Sequence, residues 1–366
     1  GIHWTNYTFS FSTKHKTTGP YPYFPELGDD FIALDYNSGC WDAVGHGPHN
    51  LDVLTLNKDG HKYWGYYGLR TSASGIGVAY SDDLETWTRY SCSTPLITNV
   101  RWPTVGIQND TIHMFYNRGS IIRRAVSPVS DGINFTEVES VTGSPAVTPF
   151  LFRNPVDDEW WLFWAGPTST FNAKHAKDIR DLDAASSIVV RVESAISAWA
   201  PSVVYWNNTY FFTEENEPGG VWQTRAFYNS TLGPNCFNDA TECSNSPILT
   251  DEAACGFAHM EGDQLYYYWS YKFDDSSADL WNLKGAISVE TWETTPIISD
   301  INPQDGAVDQ STTPVLSVSV KDLQNDAMDI VFRTNASGSW KTIGVNNSVY
   351  DGTYTCDNTS DMSSFN

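Results

Sequence analysis

Residues 159–166 read EWWLFWAG, and four other stretches share that character: HKYWGYYG at 61–68, TIHMFYNR at 111–118, TYFFTEEN at 209–216 and QLYYYWSY at 264–271. Each reads as an aromatic β-strand, and the set recurs about every 45–52 residues. The units have a common grammar on either side of this strand. An opening strand often begins with x-Pro, as in Trp102-Pro103-Thr104-Val105, Thr148-Pro149-Phe150-Leu151 and Ala200-Pro201-Ser202-Val203. A turn with Asn or Asp leads into the aromatic strand. A strand of the form small-Ala-x-Ser follows and ends in a turn and an aromatic residue. Ala79-Tyr80-Ser81 leads to Trp87, Ala125-Val126-Ser127 to Phe135, and Ala286-Ile287-Ser288 to Trp292. The third and fourth units, from Ala173 and Ala226, keep this last strand loosely. Repeats of this length made of short strands predict a five-bladed β-propeller over residues 24–295, four strands to a blade. Flat, bulky rings fill the wedge between blades, so Trp64, Trp160, Trp161, Trp164 and Trp269 are expected in the inter-blade core. Helical signal is nearly absent; residues 178–187 are expected to form at most one turn or a short helix.

The two ends read differently from the middle. After Thr295-Pro296, period-2 strands are predicted at 314–320 (PVLSVSV) and 328–334 (MDIVFRT), with further strands at 340–344 and 350–354. Turns are expected at 335–338 and at Asp351-Gly352. This part resembles the immunoglobulin-like or fibronectin-like repeats of large archaeal and bacterial surface proteins, most clearly from Asn302-Pro303 and Asp305-Gly306 through Gly352-Thr353-Tyr354. Residues 296–366 number only 71, where such sandwiches take about 100 residues and about seven strands. The expected fold class is therefore all-β: a five-bladed β-propeller plus an incomplete immunoglobulin-like β-sandwich lacking its last strands. Residues 1–23 form an N-terminal strand and linker. Residues 4–13 (WTNYTFSFST) alternate Tyr7, Phe9 and Phe11 against polar residues, and resemble the final strand of the same repeat. Three arrangements stay open: the strand completes the sandwich of a neighbouring copy, the chain is one unit of a longer tandem polypeptide, or the strand packs on the propeller. The first two give a head-to-tail contact that builds a filament unless it closes.

Composition narrows the setting. A net charge of −23 repels a phosphate backbone, so nucleic acid is a poor partner. No run of 18 apolar residues suggests a membrane span. The chain opens at Gly1 without a signal-like segment and is read as a mature or excised segment. Eight Asn-x-Ser/Thr sequons occur, at Asn6, Asn109, Asn134, Asn207, Asn229, Asn335, Asn346 and Asn358, about twice the chance number, which points to N-linked glycans and an extracellular location. Six cysteines in such a chain favour disulfides over metal. Cys236 and Cys243 bracket a short polar loop and are the expected pair; Cys40, Cys92, Cys255 and Cys356 allow three pairings. No cofactor is expected. Asp274, Asp275 and Asp279 have calcium-ligating chemistry but lack the spacing and glycine of a calcium loop.

The blade-ending run Ala79, Ser81, Asp83, Leu84, Trp87 resembles five-bladed propeller glycosidases of the arabinanase and β-xylosidase type and their fructosidase and levansucrase relatives. The resemblance covers about residues 30–295 and implies a catalytic pair of carboxyl groups on the innermost strands, with Asp-Pro and Glu-Gly-Pro blade starts. Here the starts carry Asn50, Trp102, Thr148, Ala200 and Ala254-Cys255-Gly256. Asp52 is the one inner carboxylate on this reading. Glu214, Glu215 and Glu217 follow an aromatic strand and are candidates for the funnel mouth. Asp42, with Trp41, His46 and His49, is a candidate acid–base or sugar site, or else a tight loop entering the first blade. The expectation is a secreted, N-glycosylated surface protein that assembles with copies of itself. The alternatives are a glycoside hydrolase, with Asp52 as base and a Glu of 214–217 as acid, and a glycan-binding propeller that takes polysaccharide on aromatics such as Trp102.

Overall fold

A computed structural model describes residues 23–69, 75–143, 145–167, 170–193, 198–206, 208–250, 252–274, 280–289, 296–303, 314–322, 327–334 and 341–357. The chain forms two compact units, the larger one Gly19–Thr291 and the smaller one made of Gly1–Thr18 with Trp292–Asn366. The expected N-terminal strand with Tyr7, Phe9 and Phe11 lies outside the described residues, as do Asn6, Asn207, Asn335 and Asn358.

In the larger unit, β1 (Leu27–Leu34) precedes five antiparallel blades. Blade 1 is β2 (His49–Lys58), β3 (His61–Gly68), β4 (Gly75–Ser81) and β5 (Thr88–Arg89), with β6 (Ile97–Thr98) also on β4. Blade 2 is β7 (Arg101–Gln108), β8 (Thr111–Arg118), β9 (Ile121–Pro128) and β10 (Thr136–Ser140). Blade 3 is β11 (Val147–Arg153), β12 (Trp160–Ala165), β13 (Thr170–Ala176) and β14 (Ile188–Val192). Blade 4 is β15 (Ala198–Trp206), β16 (Thr209–Asn216) and β17 (Gln223–Asn229). Blade 5 is β18 (Ala253–Glu261), β19 (Gln264–Asp274) and β20 (Leu280–Ser288), and its outer strand is β1. The first strand of the unit thus completes its last blade, which closes the ring and leaves no open seam.

The aromatic strands are the second strand of each blade, and their rings fill the seams. Leu54, Trp64, Tyr66 and Val78 of blade 1 share one core with Val105, Ile112, Met114 and Tyr116 of blade 2. Phe115 and Ile122 of blade 2 share another with Leu151, Trp160, Leu162 and Trp164 of blade 3. Leu34, Tyr268 and Leu283 of blade 5 meet Leu51, Tyr67 and Trp87 of blade 1. The five tryptophans expected in the core are all buried. Each such ring removes about 150–250 Å² from water, about 4–6 kcal/mol before conformational entropy is subtracted. The close fit has a backbone requirement: a Cβ on Gly106 of blade 2 would come within 2.6 Å of the Trp160 ring.

The seam between blades 3 and 4 is built differently. Arg191 on β14 is wholly buried and bonds Glu214 on β16 through Nε at 2.6 Å and Glu193 through Nη2 at 2.6 Å. Arg225 on β17 joins Glu193 and Glu242. Segment 233–237 extends β14, with Asn235 N–H on Val189 O and Phe237 N–H on Val190 O. That segment explains why Cys236 and Cys243, expected to be bonded, are both buried thiols. Cys243 is hung on Ala226 O and its sulfur faces the Phe24 backbone. The Cys236 carbonyl is held by Asn229, three residues further along the same strand. Anchors about 10 Å apart on a strand keep the sulfurs out of bonding range. The disulfide is Cys40–Cys92.

The smaller unit has one sheet of order β21 (Ile297–Asn302), β22 (Leu316–Lys321), β25 (Gly352–Cys356) and a second of β23 (Met328–Thr334) and β24 (Lys341–Val349). Alternate residues Leu316, Val318 and Val320 meet Met328, Ile330 and Phe332 in one core, the period-2 pattern expected of two facing sheets. Among the described residues this unit has five strands.

Candidate functional site

The innermost strand of every blade opens on a residue with left-handed backbone: Asn50 (φ 43°), Trp102 (53°), Thr148 (49°), Ala200 (50°) and Cys255 (49°). The pairing with the second strand slips at each of these points, so all five are bulges. None is glycine, and this conformation costs a side-chain-bearing residue about 1–3 kcal/mol. Contacts between blades hold it. Ser270 Oγ of blade 5 accepts Asn50 N–H at 3.2 Å, and Asn117 Oδ1 of blade 2 accepts Thr148 N–H at 2.8 Å. Thr148 Oγ1 of blade 3 accepts Ala200 N–H at 3.0 Å, and Glu215 Oε2 of blade 4 accepts Cys255 N–H at 2.6 Å. At Trp102 the matching position is Gly68, where a Cβ would press on Trp102 N at 2.8 Å. A bulge re-aims the residues beside it, and five in a ring converge on the propeller axis.

The result is a cavity of about 300 Å³ lined by His49, Arg101, Trp102, Val147, Thr148, Trp199, Glu215, Trp222, Ala254, Cys255 and Trp281. Every blade contributes. Trp199 and Trp222 rings lie 5.7 Å apart, and the His49 ring meets Trp281 edge-on at 5.3 Å. The Arg101 guanidinium sits over the Trp102 ring at 4.5 Å, and burial lowers its pKa. Trp102 Nε1 is enclosed and has no hydrogen-bond acceptor among the described residues. Below the cavity, Phe150 of blade 3 and Phe257 of blade 5 meet at 5.3 Å. Blades 3 and 5 are not neighbours in the ring, so this contact crosses the axis.

Of the sequence-derived candidates, Glu215 and His49 enter the cavity wall, as does Trp102. Asp52 does not. It stands two residues past the Asn50 bulge, where its Oδ2 accepts Val105 N–H at 2.8 Å and Thr104 Oγ1–H at 2.6 Å. Thr104 accepts Leu151 N–H and Ser202 accepts Ala258 N–H at the equivalent places. Asp52 is thus one of three like links between blades. Burial pushes its carboxyl up to about 6, against the pull of its hydrogen bonds.

Asp42 is wholly buried away from the cavity, paired with Arg89 Nε at 2.7 Å and accepting from Tyr67 OH at 3.3 Å. His46 caps the short 3₁₀ turn Trp41–Gly45 with left-handed backbone. Glu214 faces the blade 3–4 seam, where burial pushes it up to about 7 although Arg191 and Arg225 pull it down. Asp275 and Asp279 lie outside the described residues. Trp199, Trp222, Trp281 and Arg101 were not singled out from sequence. Trp199 and Arg101 each stand one position before a blade start, which is the signal that would have found them.

No protein-family model matches the chain, and no curated protein sequence matches it. Solved structures match its fold. The catalytic domain of a family-62 α-L-arabinofuranosidase from Coprinopsis cinerea superposes with TM-score 0.56 at 12% identity, over 74% of this chain and 99% of that one. An α-L-arabinofuranosidase from Podospora anserina, in complex with cellotriose, gives 0.53 at 11% identity over 73% and 98%. An endo-1,4-β-xylanase from Bacteroides thetaiotaomicron gives 0.52 at 15% identity over 82% and 97%. At these identities the likeness is one of fold: the chain has the β-propeller of such glycosidases.

Proposed function

We propose that this chain is a carbohydrate-binding propeller that takes a saccharide in the axial cavity without hydrolysing it. The observation that carries the reading is the cavity wall, whose described residues include four tryptophans and one carboxylate, Glu215. Sugar rings present apolar C–H faces that stack on indoles, while a few fixed polar groups set orientation. Glycoside hydrolysis needs a second carboxyl across the scissile bond, and Asp52, Asp42 and Glu214 are engaged elsewhere. Because the fold neighbours are named as arabinofuranosidases and a xylanase, pentose polymers are the first ligands to try. Titration calorimetry with arabino-, xylo- and cello-oligosaccharides, run beside a product assay, tests this. Binding without product is expected. Product formation abolished by Glu215→Gln would replace the reading with a hydrolase.

Secretion and N-glycosylation belong to the same proposal. Asn109 and Asn134 are exposed, whereas Asn229 is half-buried with its Nδ2 donating to Cys236 O; Asn134 Nδ2 donates to the Asp131 carboxylate of its turn. A disulfide fits an oxidising compartment. A second reading is head-to-tail assembly, in which residues 4–13 complete the smaller unit of a neighbour as an immunoglobulin-like sandwich. What supports it is the alternation of Tyr7, Phe9 and Phe11 with polar residues in 4–13, the pattern of a strand with one apolar face. Light scattering and electron microscopy of the protein, with and without Tyr7, Phe9 and Phe11 changed to Ser, test it; equal mass in both would end it.

A further inference from the structure

The loop between β1 and β2, residues 35–48, bridges blades 1 and 5 where the ring closes. One end is fixed to the outer edge of blade 1. Cys40 is bonded to Cys92, Trp41 N–H donates to Cys92 O at 2.9 Å, and Trp41 Nε1–H donates to Ser91 O at 3.2 Å. Arg89 holds Asp42, and the Trp41 ring stacks on Tyr67 at 5.9 Å. The loop also bears on β20 of blade 5. Trp281 N–H donates to His46 O at 2.9 Å, and Tyr36 N–H donates to Asn282 Oδ1 at 2.5 Å. Gly47, at φ +115°, lies so near β20 that a Cβ would come within 2.2 Å of Trp281 O. The loop then enters β2 at His49, whose ring touches Trp281. His49 and Trp281 are both cavity wall. A continuous set of contacts therefore runs from the disulfide through the loop to the cavity. Cys40 is buried, but Cys92 is an exposed residue, so solvent reaches the disulfide from the Cys92 side.

We propose that Cys40–Cys92 is a thiol-sensitive clamp on the axial cavity: a dithiol releases the loop, and the wall formed by His49 and Trp281 loosens while the five blades stay folded. The consequence for saccharide affinity rests on the carbohydrate reading above. In the exchange, one thiolate of the dithiol attacks Cys92 Sγ. The protein S–S bond breaks and Cys40 leaves as a thiolate, which takes up a proton. The second thiolate of the dithiol then attacks the mixed disulfide, Cys92 leaves and is protonated, and the dithiol ends as its own disulfide. Two electrons pass to the protein. The blades keep their closure because β1 remains paired with β20 along Leu27–Leu34.

The test uses the full chain in three states: oxidised, treated with dithiothreitol, and as the Cys40→Ser/Cys92→Ser variant. Hydrogen exchange by mass spectrometry reads the wall directly, and titration with xylohexaose reads affinity. Reduction should raise exchange about tenfold or more across 36–49 and 280–283, leave blades 2 and 3 unchanged, and weaken xylohexaose binding about tenfold. The variant should match the reduced protein and ignore dithiothreitol. Unchanged exchange at 280–283, or a rise through all five blades, overturns the clamp. If xylohexaose and its arabino and cello counterparts fail to bind the oxidised protein, the carbohydrate reading falls while exchange alone still decides the clamp.

Discussion

Glu214 and Glu215 are neighbours on β16, yet they serve different regions of the propeller. Strand alternation turns Glu215 to the axial cavity and Glu214 to the seam with blade 3. Among the described residues of the cavity wall Glu215 is the one carboxylate; it stands among indoles and accepts Cys255 N–H. In the seam, Glu214 belongs to a cluster with Arg191, Arg225, Glu193 and Glu242. The seams from blade 5 through blade 3 are filled by aliphatic and aromatic side chains instead. The lesson is that the chain's buried carboxylates are mostly joints between blades, and Glu215, the one facing the open cavity, also latches a joint.

The largest effect expected from this contrast is on stability. Arg191→Ala leaves Glu214 and Glu193 buried without their main partner and should cost about 3–5 kcal/mol in chemical denaturation, with the saccharide affinity of the folded protein unchanged. Trp102→Ala should do the reverse: binding weakens by about tenfold or more, as at the centre of a contact surface, while stability changes little because the residue is half-buried. If both variants lose stability and binding together, the two regions are not separable.

The pH dependence follows from the two raised carboxyls. Asp52 at about 6 and Glu214 at about 7 hold protons more firmly than their ordinary values of 3.8 and 4.5. Between each pair of values the folded state binds more protons than the unfolded one, so stability falls as pH rises and levels off above about 7. Asp52→Asn should remove the part of that slope between about pH 4 and 6, an effect of about 1–3 kcal/mol, read from melting curves across pH. A slope unchanged in the variant would clear Asp52. Glu215→Gln keeps an oxygen for Cys255 N–H, so its stability cost should stay under about 1.5 kcal/mol, while saccharide binding drops measurably. Smallest of all, Asn109→Gln and Asn134→Gln should each remove a glycan-sized mass in the secreted protein and move stability by no more than about 0.5 kcal/mol.

Much of the propeller was legible because it rests on repetition: five aromatic strands at a near-constant interval have few other solutions. The blade starts were legible too, since Asn50, Trp102, Thr148, Ala200 and Cys255 occupy matching places in the repeat. The outer strand β1 was harder. LGDDFIAL carries two aspartates and largely exposed positions, as suits the rim of a blade, and so gives almost no strand signal. Nor could sequence say which of Glu214 and Glu215 faces the axis, because a one-residue change of register exchanges them. The cavity tryptophans come from three blades, Trp102 from blade 2, Trp199 and Trp222 from blade 4 and Trp281 from blade 5, and only the closed ring brings them together. Cys236 and Cys243 misled because closeness along the chain was taken for closeness of sulfur atoms.

The pairing of β1 with β20 has a consequence in time. Asp30 and Lys284, joined across it, are separated by 254 residues. At ribosomal rates of about 5–20 residues per second, β1 waits about 13–50 s for its partner to be made. Through that interval the blades already synthesised form an open arc with an unpaired end. Sealing the arc is the last event in making the propeller, so a truncation that removes β20 should leave an aggregating product, not a smaller ring.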